Sequence, residues 1–167
     1  MIDFGFSQEK INVINLVKYG EKFFKENDNE PFTGLVFDID KTTGKKILNY
    51  KMVNGVKNGF YKEFYFDGSK KYEEIFKNGK RDGSSILWYR SGKKWLHSFY
   101  KDGKIDGLWT WWYENGLKKE EFIYKDGIKN GLYIKWYENG NKKQETTFID
   151  DKLISEKKWN EDGSPIE

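Results

Sequence analysis

The sequence predicts an all-β protein, an elongated single twisted antiparallel sheet of tandem β-hairpins. Three observations carry that prediction: a repeat of 24 residues, a turn dipeptide in each half-repeat, and an aromatic content of 19% in a chain with only 37% hydrophobic residues. With 34% charged residues the chain would otherwise sit near disorder, but each ring buries a large apolar area and drives folding. Phe, Trp and Tyr take the place of an aliphatic core. At 167 residues this is one domain's worth of chain.

The repeat is read directly. From Gly59 the chain runs GFYKEFYFDGSKKYEEIFKNGKRD, from Gly83 GSSILWYRSGKKWLHSFYKDGKID, from Gly107 GLWTWWYENGLKKEEFIYKDGIKN, and from Gly131 GLYIKWYENGNKKQETTFIDDKL. Gly59, Gly83, Gly107 and Gly131 open the units; Gly68, Gly92, Gly116 and Gly140 follow nine residues later, and Gly79, Gly103 and Gly127 twenty later. A looser copy precedes them from Gly34 to Asn58, with Gly44 and Gly55 at its turns, and a half-copy ending in KKWNEDGSPIE follows. Asp151 stands where the next turn glycine belongs, and a residue is missing just after it. The sheet is therefore expected to become irregular or to cap there.

Inside each unit two aromatic-rich runs are separated by Asp-Gly, Ser-Gly or Asn-Gly and closed by Lys-Asn-Gly or Lys-Asp-Gly. Such dipeptides supply the positive φ angles of tight hairpin turns. Glycines this frequent would each cost roughly 1 kcal/mol inside a helix. About eleven strands at about 4.8 Å apart would span roughly 50 Å. The array is placed at residues 34–167, preceded by a capping segment over residues 1–33. In that segment a hairpin is expected, with a strand from about Ile11 to Lys18, a turn at Tyr19 and Gly20, and a second strand through Phe23 and Phe24. A helix opened by Ser7, with Glu9 and Lys10 in its first turn, is the alternative.

These units resemble the bacterial variant of the MORN repeat (membrane occupation and recognition nexus). The matching pattern is Gly107, Trp112-Tyr113, Glu114-Asn115-Gly116, Tyr124 and Asp126-Gly127, with the array opened by Pro31 to Gly34. The resemblance covers residues 31–163. It implies a β-hairpin repeat fold and no catalytic residue. Some related proteins are described as antitoxin components of toxin–antitoxin modules, and MORN arrays elsewhere are linked to phosphoinositide lipids and to protein scaffolding.

Side chains alternate across a strand. Residues one, three and five after the opening glycine define a first face, which carries Phe64, Trp88, Trp112 and Trp136, continued by Trp159. This column is expected to be a ladder of stacked rings forming the core, so that Trp112→Ala or Trp136→Ala would cost about 3–5 kcal/mol. Residues two, four and six define a second face. Its Tyr65, Tyr89, Tyr113 and Tyr137 column repeats as faithfully and reads as structural. Positions two and four do not repeat, and there Trp109, Trp111 and Tyr133 form a candidate partner-binding patch; the competing reading packs these rings on the N-terminal segment or a neighbouring strand.

The remaining chemistry is sparse. His97 is the single histidine, with no constellation marked around it by spacing, and reads as a surface residue. Glu73-Glu74 and Glu120-Glu121 are adjacent on strands, so each pair points to opposite faces and forms no acid–base dyad. GKRDG, Gly79 to Gly83, lacks the context of a phosphate loop. Asp38, Asp40, Asp150, Asp151 and Asp162 lack calcium-loop spacing, so neither metal nor cofactor is expected. The chain has no cysteine, and its 30 basic and 27 acidic residues are interspersed with no basic block, which speaks against nucleic acid. The start lacks a secretory signal pattern, so a cytoplasmic location is expected, or a secreted or periplasmic one if a signal has been removed.

The function expected is non-enzymatic protein–protein binding, in the manner of a bacterial antitoxin or immunity-type protein occluding a toxin. The alternative is a peripheral membrane or phosphoinositide-type lipid-headgroup scaffold. Lys77, Lys80, Arg81, Lys101 and Lys104 would serve that role, with Asp82, Asp102 and Asp106 opposing them. Homo-oligomers through exposed strand edges are a further expectation.

Overall fold

The computed structural model describes residues 8–167. Fourteen of their strands form one open, mostly antiparallel sheet, two more form a separate hairpin, and no α-helix occurs among the described residues. From Gly34–Ile39 to Pro165–Ile166 the strands pair in chain order. Eleven long strands carry the repeats. Three short ones, Lys10–Asn12, Lys104–Ile105 and Pro165–Ile166, make up the fourteen.

Each repeat makes two turns. The return turns are two-residue loops with positive φ at both central positions: Asn78 and Gly79 (50° and 82°), Asp102 and Gly103 (48° and 87°), Asp126 and Gly127 (51° and 88°). That geometry matches the right-handed twist of the flanking strands. Asp150 and Asp151 adopt it too, at 48° and 61°. Of the two outcomes expected at Asp151, a cap is not found, because Lys152–Trp159 pairs along Lys142–Ile149; an irregularity is, in the register of that pairing. Asp tolerates this conformation better than most residues, and the Asp151 carboxylate adds a hydrogen bond from Lys129 N at 2.9 Å.

The opening glycines have a separate cause. Glu74 faces Ser85 but Phe76 faces Arg81, so Ile75 alone stands opposite Asp82, Gly83 and Ser84. The same two-residue bulge leaves Ile123 opposite Asn130, Gly131 and Leu132. Gly83 and Gly131 have φ of 129° and 122°, and a Cβ on Gly83 would lie 3.1 Å from that of Ile75. After Asp151 the slip is a single residue, between Thr147↔Ser155 and Phe148↔Leu153. The missing residue thus shortens the bulge and removes the need for glycine.

Neighbouring repeats are tied at both margins of the sheet. The hydroxyls of Tyr65, Tyr89, Tyr113 and Tyr137 donate to the main-chain oxygens of Trp88, Trp112, Trp136 and Trp159 at 2.7, 2.7, 2.9 and 2.9 Å. At the other margin the amides of Gly79, Gly103, Gly127 and Asp151 donate to the oxygens of Lys57, Arg81, Ile105 and Lys129. Asp82 and Asp106 accept from the amides of Asp102 and Asp126, one turn further on.

The tryptophan column is not a stacked core. Trp88, Trp112 and Trp136 are half-buried, and none of them is in a ring pair. The reason is spacing: these residues lie on alternate strands, roughly 10 Å apart, and the intervening strand places a lysine between them. Trp88 faces Lys94, Trp112 faces Lys118 and Trp136 faces Lys142. Lys70, Lys118 and Lys142 lie over the rings of Trp88, Trp136 and Trp159 at 5.2, 5.7 and 5.2 Å.

The apolar core lies instead at the N-terminal end. Phe32, Val36, Tyr50 and Met52 are buried there, packed by Ile11, Val13, Leu16, Phe23, Leu48 and Tyr61. The segment before the array makes a parallel strand, Lys10–Asn12 against Leu35–Phe37, then a hairpin of Leu16–Tyr19 with Lys22–Lys25 turning at Gly20. Phe23 N donates to Gly55 O and Phe32 N to Phe23 O, which clamps this hairpin across the first repeat. Ser7 lies outside the described residues.

Burial sets the expected mutational order. Met52→Ala, at a site 1% exposed, should cost about 2–5 kcal/mol, and half-buried Trp112→Ala about 1–2 kcal/mol; chemical denaturation would show a larger loss for Trp112 if the column were a core. Tyr113→Phe, which deletes only the bond to Trp136 O, should cost about 0.5–1.5 kcal/mol. Gly83→Ala should lower the melting temperature more than Gly92→Ala, since no atom stands within 4 Å of a Cβ on Gly92.

Candidate functional site

On the second face the N-terminal segment covers the first strands only. The buried cluster beneath it reaches Tyr61, and further along the array the same face carries a group of rings. Trp109 faces Phe122, which faces Tyr133. Phe122 and Tyr133 stack at 4.0 Å with planes 21° apart, and Trp109 stands edge-on to Phe122 at 5.4 Å. Trp111 continues the chain, 6.2 Å from Trp109 and 6.3 Å from Trp95.

The three residues of the patch predicted from sequence therefore share a face and adjoin one another through Phe122, but they differ in access. Tyr133 is 8% exposed, and burial together with nearby Glu120 pushes its phenol up to about 12. It is a floor on which the cluster rests. Trp109 and Trp111 are half-buried, and Trp95 is the most open of the chain of rings.

Trp95 could not be placed from the repeat alone. Trp111 faces Glu120 but Trp112 faces Lys118, so Lys119 bulges from the second strand. The same bulge, between Leu87↔Leu96 and Trp88↔Lys94, frees Trp95. Its ring lies 6.2 Å from Tyr89.

Beside the rings the face dips. Ser85 faces Ser98 and both are buried; Ser85 stands where the equivalent positions of the other repeats carry Tyr61, Trp109 and Tyr133. The result is a cleft of about 330 Å³ lined by Tyr72, Arg81, Leu87, Trp95, Leu96 and Tyr100 among others. Ser98 is 0% exposed and its Oγ has no hydrogen-bond partner among the described residues. Glu74, 3% exposed, is held by Arg81 Nε at 2.7 Å. Arg81 also donates to the Tyr100 hydroxyl at 3.3 Å and lies over that ring. Desolvation opposes the guanidinium's charge, yet Glu74 and the neighbouring tyrosines raise its pKa overall.

The paired glutamates do separate. Glu73 meets Lys62 and Lys70 on the first face while Glu74 meets Arg81 on the second. Glu121 and Glu120 divide likewise between Lys118 and Lys135. Gly79 to Gly83 spans a return turn and the start of a strand. No group of three potential metal-ligating side chains is present among the described residues.

His97 has a neighbour that spacing did not reveal. Its Nε2 lies 2.9 Å from Ser84 Oγ, and its ring is 4.6 Å from Phe99. The pair sits on the open first face. Burial, then Lys94, lowers the imidazole pKa below its ordinary 6.5. A lowered histidine pKa favours the folded state above about 6.5 and loses that contribution as pH falls toward the folded value. The denaturation midpoint of the wild type should decline as pH falls below about 6.5, and His97→Gln should flatten that decline.

An open sheet with one capped end, repeating ties along its margins and a non-repeating aromatic patch defines a β-hairpin repeat protein, a class of binding modules. The family sequence model described as MORN repeat variant matches residues 105–126 and 129–150, so these two adjacent units are MORN-variant repeats. Repeats of this kind serve binding to proteins or membranes and are not a known enzyme family. No curated protein matches the chain.

Proposed function

We propose that this protein binds another protein through its second face and acts by occlusion, as an antitoxin or immunity-type partner would. The observation that supports it is the chain of rings Trp95, Trp111, Trp109 and Phe122, which occupies non-repeating positions beyond the reach of the N-terminal cap. Rings of this kind, half-exposed and held by neighbours, are the usual hot spots of protein interfaces.

The first face offers a rival surface, since Ile75, Phe99, Leu108, Ile123 and Leu132 are each partly open. Ile75, Phe99 and Ile123 pack against the bulge glycines Gly83, Gly107 and Gly131 and recur with the repeat. Their position follows from the framework and needs no partner.

Capture from the native host tests the reading. Wild-type protein should retain a partner that Trp109→Ala/Trp111→Ala protein, folded by circular dichroism, loses by about tenfold or more in affinity. A double variant that binds as well as the wild type, or wild-type bait that recovers no partner, would sink it.

A further inference from the structure

Along the second face of the repeats four carboxylates are matched: Glu63 by Lys71, Glu74 by Arg81, Glu120 by Lys135 and Glu156 by Lys158, at 3.0, 2.7, 3.0 and 2.8 Å. Four lysines on that side, Lys57, Lys119, Lys129 and Lys143, have no carboxylate within 4.0 Å among the described residues. Their ammonium groups lie over rings. Lys57 is 3.9 Å from the centre of Tyr61, Lys119 3.8 Å from Trp111, Lys129 5.0 Å from Phe122 and Lys143 5.0 Å from Tyr137. On the first face Lys62, Lys70, Lys118 and Lys142 are neutralised by Glu73, Glu121 and Glu145, while Lys94 and Lys157 have no carboxylate within 4.0 Å among the described residues and lie over no ring of the second face.

A ring holds an ammonium in place without cancelling its charge, so the second face keeps an excess of fixed positive charge beside its exposed rings. The strand bearing Lys57, Val56–Phe64, lies on one side of the cleft, and the strand bearing Lys119, Lys118–Lys125, on the other. Complementarity of charge sets register and partner choice at interfaces.

Building on the partner-binding reading, we propose that the occupant of this face is an acidic protein segment. It seats an apolar side chain in the cleft between Tyr72, Leu87, Trp95 and Leu96 and lays flanking carboxylates against Lys57 and Lys119. A single-stranded nucleic acid fits less well, because base stacking needs free ring faces. Here Tyr61 and Trp111 are covered by lysines, and Phe122 is stacked on Tyr133.

Quenching of tryptophan fluorescence tests this with defined probes: a peptide alternating glutamate with leucine, its lysine counterpart, oligo(dT), and phosphatidylserine vesicles. The acidic peptide should bind in preference to the other three, and more weakly as salt rises. Lys57→Gln/Lys119→Gln/Lys129→Gln should weaken it about tenfold or more, the arginine triple should retain it, and Lys94→Gln/Lys157→Gln on the first face should change nothing. Equal binding of the acidic and basic peptides, preference for oligo(dT) or vesicles, or full binding by the glutamine triple would each overturn the proposal. A native partner that is lost by Trp109→Ala/Trp111→Ala but kept by the glutamine triple would overturn the acidic assignment alone and leave the partner-binding reading standing.

Discussion

A sheet one layer thick has no opposing layer to bury its side chains, so each strand must draw stability from the strands beside it. In this protein that constraint is met by linkage between repeats, as in other arrays whose units contact only their neighbours. One tyrosine hydroxyl and one turn amide per unit reach the main chain of the adjacent unit, at opposite margins of the sheet. Main-chain acceptors are present whatever the side chains, so positions away from these ties are free to vary. The non-repeating aromatic patch is a product of that freedom.

The same constraint explains why the glycines and tyrosines recur in lockstep. The turn glycines hold the hairpin twist, and the bulge glycines let Ile75, Phe99 and Ile123 lie close over the main chain. Each bulge adds local twist, and each shifts register by two residues, which keeps successive units on the same faces. Where the bulge shrinks to one residue after Asp151, glycine disappears and the strand continues. The N-terminal cap supplies what the array lacks, a second layer over the first strands, and the only sizeable buried apolar cluster among the described residues lies beneath it.

Much of this was legible in the sequence, because a 24-residue period with turn dipeptides fixes hairpins and their order. Alternation along a strand also divided Trp112 correctly from Trp109 and Trp111. It could not say which face is covered, since cover depends on residues before the array, nor that tryptophans on alternate strands stand too far apart to stack. Lysine opposite tryptophan emerges only from cross-strand register. The contact of Ser84 with His97, the exposure of Trp95 and the burial of Tyr133 depend on bulge positions and on what each neighbouring strand contributes, and a linear reading contains neither.

Amide hydrogen exchange followed residue by residue tests the linkage most directly. The amides of Gly79, Gly103, Gly127 and Asp151 sit in exposed turns, where a free hairpin would exchange them at the rate of unstructured chain. Because each donates to the preceding repeat, they should be protected to the level of the adjoining strands. Rapid exchange at these four positions, with the strands still protected, would contradict an array held together by ties between its units.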